Sequence, residues 1–151
     1  MSPALLDAKG KTACIIGAAG GIGSATLAMM RDCGARIIAM DLPGSRKPEL
    51  VEGDIWYDLN CSDEAAVTSV FSELSEKSVT IDYLVNAAGI TGHGGVEQMA
   101  LSDWQKVMDA NLTAAFLGAR EAASLLARPG GSVVLLSSTN GLNGGTRFSG
   151  A

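Results

Sequence analysis

Ile15-Ile16-Gly17-Ala18-Ala19-Gly20-Gly21-Ile22-Gly23 is the stretch that decides the fold. An apolar run from Thr12 to Ile16 leads into it, and an apolar helical pattern from Ile22 to Cys33 leads out. Strand, glycine turn, helix is an order that makes a phosphate site. The first N–H groups of a helix have no intrahelical acceptor, and that end carries roughly half a positive charge. Glycines ahead of it let the backbone bend sharply and let a pyrophosphate approach without meeting a Cβ.

Working outward, Lys11 to Ile16 reads as the first strand. Ile22, Thr26, Met29, Met30 and Cys33 recur at helical spacing, and Gly34 suits the position just past that helix. Ala35 to Met40 predicts a second strand ending at Asp41, with a Pro/Gly loop from Leu42 to Lys47. Asp54 to Tyr57 predicts a short third strand. Ser62 or Asp63 then caps a helix striped by Val67, Val70, Phe71 and Leu74. Ile81 to Val85 predicts the fourth strand, ahead of Asn86-Ala87-Ala88-Gly89. After a glycine-bearing loop, Ile90 to Met99, Ser102 caps a long helix with apolar positions 104, 107, 108, 112, 115, 116, 119, 123 and 126. Arg128-Pro129-Gly130-Gly131 closes that helix, and Ser132 to Leu136 predicts the fifth strand, with Ser137-Ser138 at its C-terminal end. Thr139 to Ala151 shows no periodicity.

Strands alternating with helices imply a Rossmann-like, doubly wound parallel α/β sheet of about five strands, order 3-2-1-4-5, in one domain over residues 1–151. Ligands of such sheets sit outside the carboxyl ends of the strands. Asp41, Asp58, Asn86 and Ser138 all fall there, beside the glycine turn.

Composition narrows the partners. Eleven Lys and Arg against 16 Asp and Glu give a net charge of −5, which argues against a nucleic-acid backbone. No run approaches the roughly 20 apolar residues of a membrane span, and Met1 to Asp7 lacks the basic start of a signal peptide. Cys14, Cys33 and Cys61 have no metal-type spacing; they read as packed, reduced thiols, which points to the cytoplasm. His93, the one histidine, has no metal-spaced partner and reads as a solvated loop residue. Trp56 and Trp104 read as packing residues, and Asp63-Glu64 as first-turn helix charge.

Gly17 to Gly23 follows G-x-x-x-G-x-G and lacks the Lys and Ser/Thr of a P-loop, which disfavours nucleoside-triphosphate chemistry. A carboxylate at Asp41 can accept both ribose hydroxyls of NAD and repels a 2′-phosphate, so NAD is favoured over NADP, with Arg46 and Lys47 nearby as the counter-argument. Asn111 falls on the predicted apolar stripe 104, 108, 111, 115, where an unpaired amide costs about 1–3 kcal/mol; it must find a partner.

These marks resemble the first part of the short-chain dehydrogenase/reductase family: Gly-Ala-Ala-Gly-Gly-Ile-Gly at 17–23, Asp58-Leu59, Asn86-Ala87-Ala88-Gly89, Asn111, and Gly-Ser-Val-Val-Leu-Leu-Ser-Ser at 131–138. The resemblance implies an NAD-dependent oxidoreductase acting on a secondary alcohol or ketone. It implies that Gly17, Ala19, Gly21, Ile22 and Gly23 hold the pyrophosphate, with Asp41 and Leu42 at the ribose. Asp58 would bind the adenine amino group, with Leu59 supplying a backbone contact. Asn86, Ala87, Ala88 and Gly89 would line the centre of the cofactor. Of the catalytic residues, Ser138 would orient the substrate oxygen and Asn111, at a distortion of its helix, would hold a relay water. The intact protein would be a homo-oligomer, with the long helix in its dimer contacts.

One departure stands out. The family's acid/base tyrosine lies beyond that serine, in Tyr-x-x-x-Lys, whereas the two tyrosines here are Tyr57 and Tyr83, both upstream. The resemblance therefore implies a truncated chain ending before that motif and lacking the family's last strands and helices, with strand five as an exposed edge. The alternatives are a non-catalytic nucleotide-binding or scaffold module and, third, an S-adenosylmethionine-binding methyltransferase. The last predicts neither Asn-Ala-Ala-Gly nor the paired serines.

Overall fold

The computed structural model describes residues 7–139 apart from 93 and 96. Five parallel strands, β1 (Thr12–Ile16), β2 (Arg36–Asp41), β3 (Ile55–Asp58), β4 (Tyr83–Asn86) and β5 (Ser132–Leu135), lie in the order β3-β2-β1-β4-β5. The order reverses between β1 and β4, the position at which α/β sheets open a ligand crevice. The expected class and order are those observed.

The central strands are buried on both faces, as a helix-covered parallel sheet requires. Cys14, Ile16, Ile38 and Met40 point to one side, against α2 (Glu64–Glu76) and α4 (Ala114–Ala122). Ala13, Ile15, Ile37 and Ala39 point to the other, against Leu27 and Met30 of α1 (Gly21–Asp32). Asp63 caps α2 by accepting from the Ala66 N–H, and Glu64 stands in its first turn, so that acidic pair is helix-start charge.

Several expectations need correction. β2 ends at Asp41 as expected but starts at Arg36, and β3 runs through to Asp58, because the ladder pairs it with Asp41. β4 begins at Tyr83 rather than Ile81; Ile81 makes an isolated bridge to Leu126 instead. β5 ends at Leu135, with the Leu136 N–H still bonded to the Asn86 carbonyl.

In α1 the buried face is Gly23, Leu27 and Met30, and Ile22 and Met29 face out. Gly23 decides this rotation. A Cβ there would lie 2.0 Å from the Gly17 carbonyl oxygen, so only this side of the helix can meet the glycine turn.

The long helix departs most. It starts at Leu101 with Ala100 at the N-cap, so Ser102 is inside it and caps nothing. It comprises α3 (Leu101–Met108), a π-helical turn at Asp109–Thr113, and α4, which ends at Ala122. The turn adds a residue and re-phases the face. Buried positions are Val107, Ala114, Leu117, Gly118 and Ala122, while Trp104, Leu112 and Phe116 of the expected stripe are exposed. Gly118 fixes the contact with β1: a Cβ would stand 2.5 Å from Ile16 Cδ1.

Among the described residues β5 is an edge strand, and Val133, Val134, Leu135 and Leu136 are exposed on both of its faces. Among the described residues, no helix is long and apolar enough to cross a membrane.

Candidate functional site

The crevice at the strand C-termini is a cleft of about 380 Å³ whose lining includes Gly17, Ala19, Asp41, Leu42, Leu59 and the run Ala87 to Ile90. Each glycine of the turn does a different job. Gly17 has a φ of +79°, and a Cβ on it would come within 2.5 Å of the Ala88 nitrogen and 2.7 Å of the Ala87 carbonyl carbon. This allows the segment after β4 to pack directly behind the turn. Gly21 is the opposite case: a Cβ there meets nothing within 4 Å. The space over the start of α1 is open, no side chain caps that end, and no acidic residue stands in its first turn. An uncapped helix N-terminus with open space before it fits a pyrophosphate.

At the end of β2, one oxygen of Asp41 accepts from the Ala19 N–H at 2.7 Å. The other accepts from the Leu42 N–H at 2.7 Å and from Ser45 Oγ at 3.0 Å. The carboxylate thereby pins the glycine turn to the loop after β2. Asp58 is Asp41's register partner on β3, but its carboxylate accepts from Lys47 Nζ at 2.9 Å and Trp56 Nε1 at 2.8 Å. These bonds hold its pKa below the usual carboxylate range, Lys47 first and Trp56 second. Asp58 is not among the residues lining the cleft.

Asn86, at the end of β4, is buried; its Oδ1 accepts from the Ala88 N–H at 3.0 Å and braces the turn into Gly89. Its Nδ2 has no partner among the described residues. Asn111 sits within the π-turn, and its amide is committed: Nδ2 donates to the Ile90 carbonyl at 2.9 Å and Oδ1 accepts from the Ile90 N–H at 2.8 Å. The amide that the sequence required to find a partner has found the backbone. Ile90 and Ala110 line the cleft beside it. Ser138 follows β5 and is exposed. His93 and residues 140–151 lie outside the described residues.

The cleft thus gathers Gly17, Ala19, Asp41, Leu42, Leu59, Ala87, Ala88 and Gly89; Ile22 and Gly21 stand at the mouth of α1, while Gly23 is spent on packing. Arg46, the counter-argument to NAD, does line the cleft, and sequence reasoning missed Ser45, Asn60, Cys61 and Ser62 in the lining. Only their position just past β2 and β3 could have flagged them. Cys61 is buried, and that burial, followed by the negative charge of Asp41, pushes its thiol up to about 12. The expected packing role of Trp56 is seen against the α1-side core and under Lys47; Trp104 is exposed instead.

The chain is 34% identical over 142 residues to the 3beta-hydroxysteroid dehydrogenase of Mediterraneibacter gnavus, covering 89% of this chain and 51% of that protein. Among solved structures, the short-chain dehydrogenase/reductase of Brucella melitensis superposes with a TM-score of 0.84 at 24% identity, covering 96% of this chain and 63% of that one. A short-chain dehydrogenase of Leptospira borgpetersenii, solved with bound NAD+, gives 0.71 at 23% identity over 76% of this chain and 45% of that one. Both structures share the fold. The chain spans about half the length of the curated relatives it matches. The family model for short chain dehydrogenases matches residues 11–150, nearly everything that builds the sheet and cleft, and on that match the chain belongs to the short-chain dehydrogenase family.

Proposed function

We propose that this chain is the NAD-binding part of an oxidoreductase that moves a hydride between a nicotinamide and a secondary alcohol or ketone carbon. The observation that carries the reading is Asp41, a cleft-lining carboxylate bonded to the Ala19 N–H of an uncapped, open glycine turn. A ribose diol there would find an acceptor, and a 2′-phosphate would meet a like charge. The Leptospira protein of the same fold, solved with NAD+ bound, supports a nucleotide cofactor.

The nicotinamide, when bound, supplies or takes the hydride. The chain's own residues bind and orient. The turn from Gly17 to Gly23 holds the pyrophosphate through backbone N–H groups, and Ala87 to Gly89 line the central cleft. Ser138 orients the substrate oxygen. Asn111, after its two bonds to Ile90, retains one amide hydrogen and one carbonyl lone pair for a relay water. Exposed Leu101, Trp104, Leu112 and Phe116 on the long helix support a homo-oligomer.

A second reading, a nucleotide-binding module without turnover, is favoured by the tyrosines. Tyr57 donates to Glu73 at 3.0 Å, and burial, then that bond, pushes its hydroxyl up to about 12. Tyr83 packs against the α1-side core. Neither lines the cleft.

Titration calorimetry of the full chain with NAD+ and NADP+, repeated on Asp41→Ala, tests the leading reading. NAD+ binding should weaken more than NADP+ binding. Equal losses would remove Asp41 from cofactor choice.

A further inference from the structure

Asp41-Leu42-Pro43-Gly44-Ser45 turns back on itself directly after β2. Pro43 presets φ at the second position of the turn Leu42 to Ser45. Gly44 takes the positive φ, +83°, that the third position of a type II turn demands. The Ser45 N–H closes the turn by donating to the Leu42 carbonyl at 3.0 Å. This fold-back carries the Ser45 hydroxyl over the end of β2, where it donates to Asp41 Oδ1 at 3.0 Å. Both residues line the cleft.

The turn changes what Asp41 has left to offer a ligand. A carboxylate has roughly four acceptor sites, shared equally between its oxygens. Oδ1 accepts from the Leu42 N–H and from Ser45 Oγ, so both of its sites are taken. Oδ2 accepts from the Ala19 N–H and keeps one site. A ribose diol brings two hydroxyl donors. One finds a place on Oδ2, and the other meets a filled Oδ1.

The three bonds are not equally easy to give up. The Ala19 and Leu42 donors are backbone N–H groups at 2.7 Å, fixed by the glycine turn and by β2 itself. The Ser45 bond is the longest of the three and hangs on one side-chain torsion. A single rotamer step takes the hydroxyl off Oδ1 and leaves the turn closed by the Ser45 N–H. Ser45 is only half-buried, so water can take up the released hydroxyl. Resting on the dinucleotide reading above, we propose that Ser45 is an internal competitor for the cofactor: its hydroxyl holds the place on Asp41 Oδ1 that the second ribose hydroxyl needs, and the ligand displaces it. Ser45 thus positions the carboxylate in the empty cleft and weakens the hold on NAD+.

Titration calorimetry of the full chain reads this directly. Ser45→Ala retains the N–H that closes the turn and should bind NAD+ about two- to tenfold more tightly than the parent, the worth of one hydrogen bond no longer displaced. Two NAD+ analogues locate the competition, one lacking the 2′ and the other the 3′ hydroxyl of the adenosine ribose. The gain should vanish for the analogue without the hydroxyl that faces Oδ1 and persist for the other. In an Asp41→Ala background, Ser45→Ala should change nothing. The parent supplies a check that needs no variant: one analogue should bind it within about threefold of NAD+, because Ser45 resumes the bond the ligand gives up. Equal or weaker NAD+ binding by Ser45→Ala, a gain shared by both analogues, or an effect that survives in Asp41→Ala overturns this inference. So does a parent that binds both analogues more than about threefold more weakly than NAD+. All four leave the dinucleotide reading standing, because the parent still binds NAD+. Failure of the parent to bind NAD+ overturns both.

Discussion

The side-chain amide of Asn111 and the backbone of Ile90 close a ring of two hydrogen bonds, 2.9 and 2.8 Å long, that ties the π-turn to the segment after β4. Gly89 lies against this ring: a Cβ on it would stand 2.8 Å from Asn111 Oδ1. The amide is held at both ends and has little room to yield. Gly89→Ala should therefore destabilise the chain by about 1–3 kcal/mol through overpacking, read from urea midpoints. In an Asn111→Ala background the same substitution should do much less harm. Additive losses in that double-mutant cycle would show that the glycine and the amide do not interact.

Gly17 and Gly21 separate folding from binding. Gly17→Ala combines a positive φ with backbone contacts of 2.5 and 2.7 Å, so it should lower the melting temperature sharply. Gly21→Ala meets nothing within 4 Å and should fold normally, yet its methyl group would occupy the space a pyrophosphate needs. Thermal melts and NAD+ calorimetry on the two variants check this. A Gly21→Ala chain that binds NAD+ like the parent would remove the helix N-terminus from the site.

The three thiols should differ in reactivity. Cys61 is raised to about 12 by burial and then by Asp41, and Cys14 is raised by burial, so at pH 8 neither presents much thiolate. Cys33 is only half-buried. Iodoacetamide at pH 8 should label Cys33 first, as located by peptide mass spectrometry. The raised thiols also make stability pH-dependent. Their contribution is present in full below the unfolded thiol range near 9 and is lost as pH rises toward about 12, because only the unfolded thiol ionises in that window.

Asp54 is a hub under the loop after β2. It pairs with Arg31 at 2.7 Å and accepts from the Ile37 and Val51 N–H groups, both at 3.1 Å. Its side chain is 2% exposed. Asp54→Ala leaves a largely buried guanidinium without its partner and should cost about 3–5 kcal/mol. Chemical denaturation measures it, and a loss below about 1 kcal/mol, the scale of an exposed pair, would show that the pair is solvent-screened.

With no tyrosine at the cleft among the described residues, the chain by itself should form no NADH from a secondary alcohol above background. A positioned general acid or base typically contributes about 10²- to 10⁴-fold. Absorbance at the NADH band checks this, and steady turnover would mean that another group moves the proton.

The strands were legible because each ended on a recognisable residue or turn: Gly17, Asp41, Asp58, Asn86 and the paired serines. Helix faces were less so. In α1 two stripes compete, 22-26-29-33 and 23-27-30, and apolar content favours the first. Only the contact of Gly23 with Gly17, which an apolar count ignores because glycine has no side chain, selects the second. Of the site, the glycine turn and Asp41 could be read directly. Ser45, Asn60 and Ser62 could not, because loops carry no period; their own bonds are local, Ser45 to Asp41 and Ser62 to Asn60, and it is the pairing of β2 with β3 that brings the two loops to one cleft.

The π-turn at Asp109–Thr113 has a consequence for mutation. Removing one residue there, such as Ala110, would let the segment wind as an ordinary α-helix and improve its local regularity. Because the turn already absorbs one extra residue, the deletion would leave α4 in phase, with Leu117 still in the core and Gly118 still against Ile16. What would go is the widened backbone around Asn111, and with it the pair of hydrogen bonds to Ile90. The irregular turn serves one amide rather than the packing of the helix, and a deletion that repaired it would keep the fold while releasing the segment after β4.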